Sequence, residues 1–329
     1  MLSVLRVTRT VRSSNMKKFI LPSWIGLSVI AAVMQLAPAT MAGELTRLVA
    51  WGDISYDLTN DVTQDGTPVA CIAAGDFHSL ALQRNGDVVA WGDDRFGQSQ
   101  LPSLLAHKSA VKIAAGNVHS LALLGNGTVI AWGGYNQTYG GYGQDEVPSG
   151  LKKVTAIAAG ALHSLALQRD GTVVAWGYNG YGQCAVPPGL NKVTAIAGGT
   201  SHSLALKKDG TVVAWGRNDH GECSVPVGLN HVVAIAAGGF HSLALKKDGT
   251  VVAWGSYGLI RCSVPNGLSG VVAIATGDYH SVALKRDGSV VAWGLNPLGQ
   301  CNVPNDLKNV KAISARGNHT MVLMKASGK

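Results

Sequence analysis

The dipeptide Trp-Gly recurs seven times in this chain, at Trp51, Trp91, Trp132, Trp176, Trp215, Trp254 and Trp293, in steps of 40, 41, 44, 39, 39 and 39 residues. A second series, His78, His119, His163, His202, His241, His280 and His319, keeps a matching step. Self-similarity at about 40 residues means that one supersecondary unit is copied along the chain and buries its apolar faces against its neighbours.

The unit from Val193 to Leu229 shows what is copied. Residues 193–197 alternate large and small side chains, residues 203–207 do so again, and residues 211–215 follow Lys208-Asp209-Gly210, a hairpin turn. A shorter extended piece is expected over 223–226, confined to an edge by Pro226. About four short strands per repeat is the pattern of a propeller blade. The last repeat stops after Val322-Leu323-Met324-Lys325 without its V-V-A-W-G strand, while an orphan Leu48-Val49-Ala50-Trp51-Gly52 stands ahead of the first. Joining the two closes a ring and needs no capping repeat, which argues against a solenoid. The expected fold is all-β, a seven-bladed β-propeller over 43–329, closed by pairing of the N-terminal strand with the last blade. The 42 glycines, without a triplet period, suit a chain of many turns.

Ahead of the repeats, Met16-Lys17-Lys18 and the apolar run from Phe19 to Leu36 have the layout of a secretory signal peptide. Cleavage after Ala39 or after Ala42 would leave a mature chain starting at Thr40 or Gly43. The rival reading is an uncleaved anchor, but Pro22 interrupts the run and it sits at the short limit of about 18 residues. Residues 1–15 read as an over-extended start before Met16. The expected address is exported, periplasmic or extracellular, with no membrane association after cleavage.

The formal charge of +8 falls with the leader: without its five basic residues the 27 become 22, against 19 acidic, a balance of +3. Such a surface makes no electrostatic case for nucleic acid. The Lys-Asp-Gly and Arg-Asp-Gly turns are solvated tips whose charges are expected largely to cancel.

At this point the repeat resembles a known family. V-x-A-I-A-A-G-x-x-H-S-L-A-L-K-x-D-G-x-V-x-A-W-G-x-N, nearly verbatim from Val154 to Asn179 and from Val193 to Asn218, is similar to the regulator of chromosome condensation repeat. The short repeats, the G-Q-x-x-V-P segment and the leader make the chain most similar to bacterial secreted members, among them the propeller-type β-lactamase inhibitory protein. That resemblance implies a module that binds a target enzyme with aromatic residues on one face of the ring. The nuclear exchange factor that founded the family is a poorer comparison, because the address differs and no long inserted loop resembles its catalytic wedge. Fold similarity alone does not assign function.

Seven His in equivalent slots of separate blades do not converge as the three or four ligands of one metal ion must. A structural role is expected for them, and for the seven Trp, which can wedge between neighbouring blades with the indole N–H paired. Cys184, Cys223, Cys262 and Cys301 share one repeat slot, filled by Ser99 and Asp145 in earlier repeats, and Cys71 takes a first-strand slot. Equal slots on adjacent blades lie too far apart for disulfides, so reduced, mostly buried thiols are expected. No metal or cofactor is expected.

Two segments vary freely from repeat to repeat: the pair before each His and the loop after each Trp-Gly. Chain direction places both at the same end of the blades. Every Phe and Tyr of the repeat region falls there: Phe77, Phe240 and Tyr279 before a His, and Tyr56, Phe96, Tyr135, Tyr139, Tyr142, Tyr178, Tyr181 and Tyr257 after a Trp-Gly, with Arg95, Arg217 and Arg261 in the same loops. Large apolar groups gathered on one exposed face mark a recognition surface, although some could instead fold back over the blade ends. The expected function is a secreted, monomeric, non-enzymatic module that binds a protein partner of unknown identity through Phe77, Phe96, Tyr135, Tyr139, Tyr142, Tyr178, Tyr181, Phe240, Tyr257 and Tyr279, and inhibits an exported enzyme. A propeller lyase or glycosidase is the alternative; its carboxylates could come only from Asp76, Asp93, Asp94, Asp219 and Asp278, which the sequence scatters over different blades. A structural cell-surface repeat protein without a ligand is a third reading.

Overall fold

The computed structural model describes residues 46–53, 55, 66–106, 108–134, 141–256 and 262–326. The expected leader at 1–42 and the residues Tyr56, Tyr135, Tyr139, Tyr257 and Arg261 lie outside the described residues. The first strand, β1 (Thr46–Gly52), pairs with the last. Between them run six consecutive three-stranded antiparallel sheets. Blade one is β2 (Val69–Ala74), β3 (His78–Gln83) and β4 (Val88–Gly92); blade two is β5 (Ala110–Ala115), β6 (His119–Leu124) and β7 (Val129–Gly133). Blade three is β8 (Val154–Ala159), β9 (His163–Gln168) and β10 (Val173–Gly177); blade four is β11 (Val193–Gly198), β12 (His202–Lys207) and β13 (Val212–Gly216). Blade five is β14 (Val232–Ala237), β15 (His241–Lys246) and β16 (Val251–Gly255); blade six is β17 (Val271–Thr276), β18 (His280–Lys285) and β19 (Val290–Gly294). Blade seven is β20 (Val310–Arg316) and β21 (His319–Lys325), completed by β1 in the order β1-β21-β20.

The register of that last pairing runs from Thr46 opposite Lys325 to Gly52 opposite His319, so the chain ends supply one blade between them and the ring of seven closes. The first strands β2, β5, β8, β11, β14, β17 and β20 contact one another in sequence around the axis. The extended fourth piece expected over 223–226 is not a strand. Its donors are spent locally, Cys223 N on Asn218 Oδ1, Ser224 N on Gly221 O and Val225 N on Cys223 O, and Pro226 has none to give. Blades therefore have three strands.

The alternation of Leu and Ala along each middle strand follows from burial on both faces. In blade four, Leu204 and Leu206 pack with Val232, Ile235, Ala244 and Trp254 of blade five. The opposite face, carrying Ile196, Ala205 and Trp215, receives Leu165 and Leu167 of blade three. Small residues on one face make room for the neighbour's large ones, and burying each Leu stabilises by about 1.5–3 kcal/mol. Among the described residues the buried apolar side chains form clusters of this kind at every seam between blades.

Candidate functional site

Both variable segments sit at one end of the ring. The second strand of each blade starts at its His opposite the Gly that follows the Trp, as His202 does with Gly216, and the residue after that Gly donates back to the loop before the His: Arg217 N to Ser201 O at 2.9 Å, Tyr178 N to Leu162 O at 2.8 Å, Leu295 N to Tyr279 O at 2.9 Å. The Asp-Gly hairpins lie at the opposite end, where Gly210, at φ 82°, turns the chain in a conformation that suits glycine.

A repeated hydrogen-bond relay underlies the loop end. His163 Nε2 lies 3.0 Å from Ser203 Oγ of the next blade, Ser203 Oγ donates to Gln183 O at 2.9 Å, and Trp215 Nε1 donates to the same carbonyl at 2.8 Å. The serine proton is committed to the carbonyl, so the imidazole is the donor and carries its proton on Nε2. The relay recurs through His78, Ser120, Gln98 and Trp132, through His119, Ser164, Gln144 and Trp176, through His202, Ser242, Glu222 and Trp254, and through His280, Thr320, Gln300 and Trp51. His241 Nε2 likewise lies 2.9 Å from Ser281 Oγ. Burial pushes His78, His163, His202 and His280 down to about 3 and His319 to about 4, so these rings are neutral at physiological pH. Trp91 and Trp293 are buried like the other five, but the expected pairing of the indole N–H is missing at Trp293, whose Nε1 has no hydrogen-bond partner among the described residues. The buried Gln98, Gln144, Gln183, Glu222 and Gln300, whose carbonyls anchor the relay, were not singled out from sequence; their signal was the recurring Gly-Gln before V-P.

The half-buried thiols of Cys184, Cys223 and Cys301 donate to the carbonyl of the residue after each Trp-Gly, Cys223 Sγ to Arg217 O at 3.0 Å. In the same slot Ser99 Oγ makes this bond to Asp93 O at 2.9 Å. Burial raises Cys184 and Cys301 to about 11 and Cys71 and Cys223 to about 12. Only Cys71 is fully buried, and all five are free. Among the described residues no group of three or more His, Cys, Asp or Glu is placed to hold a metal ion.

Five of the aromatic residues join into a continuous arc. Tyr142 meets Tyr178 edge-on at 4.7 Å between ring centroids, and Tyr178 meets Tyr181 at 6.2 Å. The Arg217 guanidinium bridges onward, 5.0 Å from the Tyr181 ring centre and 5.8 Å from that of Phe240, and Phe240 stacks on Tyr279 at 5.7 Å. His220 joins from the side, edge-on to Phe240 at 4.9 Å. Tyr142 and Tyr181 are 44% and 46% exposed, while Tyr178, Phe240 and Tyr279 are half-buried. Phe77 and Phe96 are also half-buried, with Arg95 6.0 Å above the Phe96 ring.

At the axis, the carboxylates that the sequence scatters do not all stay apart. Asp76 of blade one accepts from Arg316 Nε of blade seven at 2.9 Å, and Asp278 of blade six faces the same guanidinium while accepting from Thr200 Oγ1 at 3.3 Å. Arg316 Nη1 donates across the ring to Ala159 O at 3.0 Å and Gly198 O at 3.4 Å. Burial and the repulsion of Asp278 push Asp76 up to about 7, against the pull of Arg316. Asp93 is held by Arg95 at 2.9 Å and Gln98 at 3.1 Å, Asp219 by Arg217 at 2.7 Å, and Asp94 accepts from Ser99 N at 3.0 Å, so these three only pin their own loops.

Six segments, 69–98, 110–144, 154–183, 193–222, 232–256 and 271–300, match the regulator of chromosome condensation (RCC1) repeat. The chain belongs to that family. Its fold is similar to Prp20p of Saccharomyces cerevisiae, at a TM-score of 0.75 and 22% identity over 91% of this chain and 94% of that one. The yeast RCC1 (Prp20) solved with Kap60 gives a TM-score of 0.75 and 23% identity over 98% and 97%. Human WBSCR16 gives 0.67 and 18% over 85% and 99%. No curated protein sequence matches. At these identities the likeness to the RCC1 propellers is one of fold.

Proposed function

We propose that this RCC1-type propeller is a protein-binding module whose partner docks across the loop end. The observation that carries this reading is the arc from Tyr142 to Tyr279, in which residues from three connections and two loops meet through rings and one arginine. Aromatic and arginine anchors that exclude water are what interfaces use, typically within a patch of about 800 Å² per partner. Proteins of similar fold have protein partners: Prp20p is described with binding properties to Gsp1p and histones, and yeast RCC1 (Prp20) is seen bound by Kap60. In finer detail, we propose that the protein is exported by its leader and that its partner is an exported enzyme which it inhibits.

The test is affinity capture from the culture medium and periplasm, followed by Tyr181→Ala, Phe240→Ala and Tyr279→Ala. Each should leave the melting temperature near wild type, and at least one should weaken binding of the captured partner by about 30-fold or more, about 2 kcal/mol. Retained affinity in all three would place the partner elsewhere. A catalytic reading draws on one observation, the meeting of Asp76 and Asp278 at Arg316. It requires Asp76→Asn to abolish a turnover that the wild-type protein shows on glycan substrates.

A further inference from the structure

The near-balance of +3 is the sum of two unlike ends. The hairpins of blades four, five and six carry Lys207-Lys208, Lys246-Lys247 and Lys285-Arg286. The segments entering the next blade bring Lys152, Lys153, Lys192 and Lys308 to the same end, as the bonds Lys208 N to Lys192 O at 2.8 Å and Arg169 N to Lys153 O at 3.0 Å show. Charges at these tips do not cancel. Each turn aspartate pairs with the first basic residue of its hairpin, Asp209 with Lys207 at 3.3 Å, Asp248 with Lys246 at 3.5 Å and Asp287 with Lys285 at 3.3 Å. The second, Lys208, Lys247 or Arg286, is exposed and has no ion pair among the described residues. Taken over the described residues, the hairpin end holds fifteen Lys and Arg against six Asp, whereas the loop end holds three Arg against nine Asp and Glu.

We propose that the hairpin end of the ring is a docking face for an anionic lipid bilayer, whose headgroup phosphates it binds, leaving the aromatic end turned outward. The middle strands of blades one to six share one length and register, and that of blade seven is one residue longer, so the tips end at similar levels around the axis and present their cations as a ring. Such a ring fits a planar anionic surface. Nucleic acid is the poorer match: the cations form no groove, and no Phe, Tyr or Trp of the described residues lies at this end to stack on bases. Each Lys or Arg held near an anionic leaflet strengthens partitioning by about fivefold, and that gain fades within a Debye length. The inference does not rest on the partner-binding reading, because it uses the other end of the ring.

The test is co-sedimentation of the whole protein with vesicles of phosphatidylcholine alone and of phosphatidylcholine with phosphatidylglycerol at about 30 mol%. The quantity read is the gain that phosphatidylglycerol adds and its change in the variants below, which leave the leader and its five basic residues as they are. We expect a gain that disappears at about 0.5 M salt and falls by more than about a hundredfold in the charge-reversed triple variant K208E/K247E/R286E. Should that variant fold poorly, K208Q/K247Q/R286Q must show a smaller loss in the same direction. The proposal is overturned by a gain that is absent, by one that survives both triple variants, or by a 30-base-pair duplex that retains the protein at a salt concentration where the vesicles release it.

Discussion

Arg316 Nε lies 2.9 Å from Asp76 Oδ1, and the pair spans the seam between blades seven and one, where the ring closes. That seam lacks the relay bond found elsewhere: His319 Nε2 and Ser79 Oγ, which occupy the positions joined at the other six seams, are both buried without a hydrogen-bond partner. The cause is the residue at the head of the loop. In the other six blades it is glycine, and a Cβ added at Gly75, Gly116, Gly160, Gly199, Gly238 or Gly277 would overlap the imidazole of its own repeat. Arg316 has a Cβ in that slot. It substitutes its own reach across the axis, aided by Ala74 N donating to Ser314 Oγ at 2.9 Å and Val69 N to Thr46 Oγ1 at 2.9 Å.

Ser79→Ala should therefore be silent, within about 0.5 kcal/mol. Ser120→Ala, which strands His78 Nε2 and leaves the Gln98 carbonyl to Trp132 alone, should cost about 1–3 kcal/mol. Arg316→Ala leaves two buried carboxylates without their cation and should cost about 3–5 kcal/mol. Urea denaturation at neutral pH measures all three. Equal costs for the two serines would remove the distinction drawn between the seams.

Stability should fall as the pH drops below neutrality. The buried histidines titrate lower in the folded chain than in the unfolded one, so the unfolded state alone takes up protons as pH falls from about 6.5 towards about 3, and stability is lost across that window. Asp76 has the opposite sign: its folded value, about 7, lies above the ordinary 3.8, so its contribution is complete below 3.8 and disappears as pH rises through about 7. Melting temperatures from pH 4 to 9 should fall on the acid side, where the several histidines outweigh the single Asp76. Asp76→Asn removes the opposing contribution and should steepen that fall between about pH 7 and pH 4.

Deleting residues 46–52 removes β1 and leaves β21 with an open edge, besides taking Trp51 from the seam between blades six and seven. Aggregation or a large loss of stability is expected. A monomer with an unchanged melting temperature would show that β1 does not close the ring.

The shared cysteine slot should accept serine. Cys223→Ser keeps a donor for the Arg217 carbonyl, as Ser99 does for Asp93, whereas Cys223→Ala should cost about 1 kcal/mol. Thiols raised to about 11 or 12 should react slowly with alkylating reagents at pH 8 in the folded protein and quickly once unfolded.

Most of the framework was legible because each blade states its strands locally. Large-small alternation, the Asp-Gly turns and the Trp-Gly endings recur with one step, and the missing strand at one end matched the orphan at the other. The expected fourth strand failed because the G-Q-x-x-V-P segment spends its donors in turns, which alternation alone does not reveal. At the loop end the aromatic residues could be placed on one side from chain direction. That Tyr142, Tyr178, Tyr181, Phe240 and Tyr279 touch in series, through Arg217, depended on the angle between neighbouring blades.

The sequence by itself determined the number of blades, the closure and which loops share an end, since these follow from periodicity along the chain. Only the tertiary structure brought Asp76, Asp278 and Arg316 to one point at the axis, and only it separated a nearly balanced set of charges into a basic end and an acidic one. The physical reason is that a ring converts positions 40 residues apart into neighbours around a common axis. Electrostatic interaction depends on that distance in space, which the spacing in sequence does not contain.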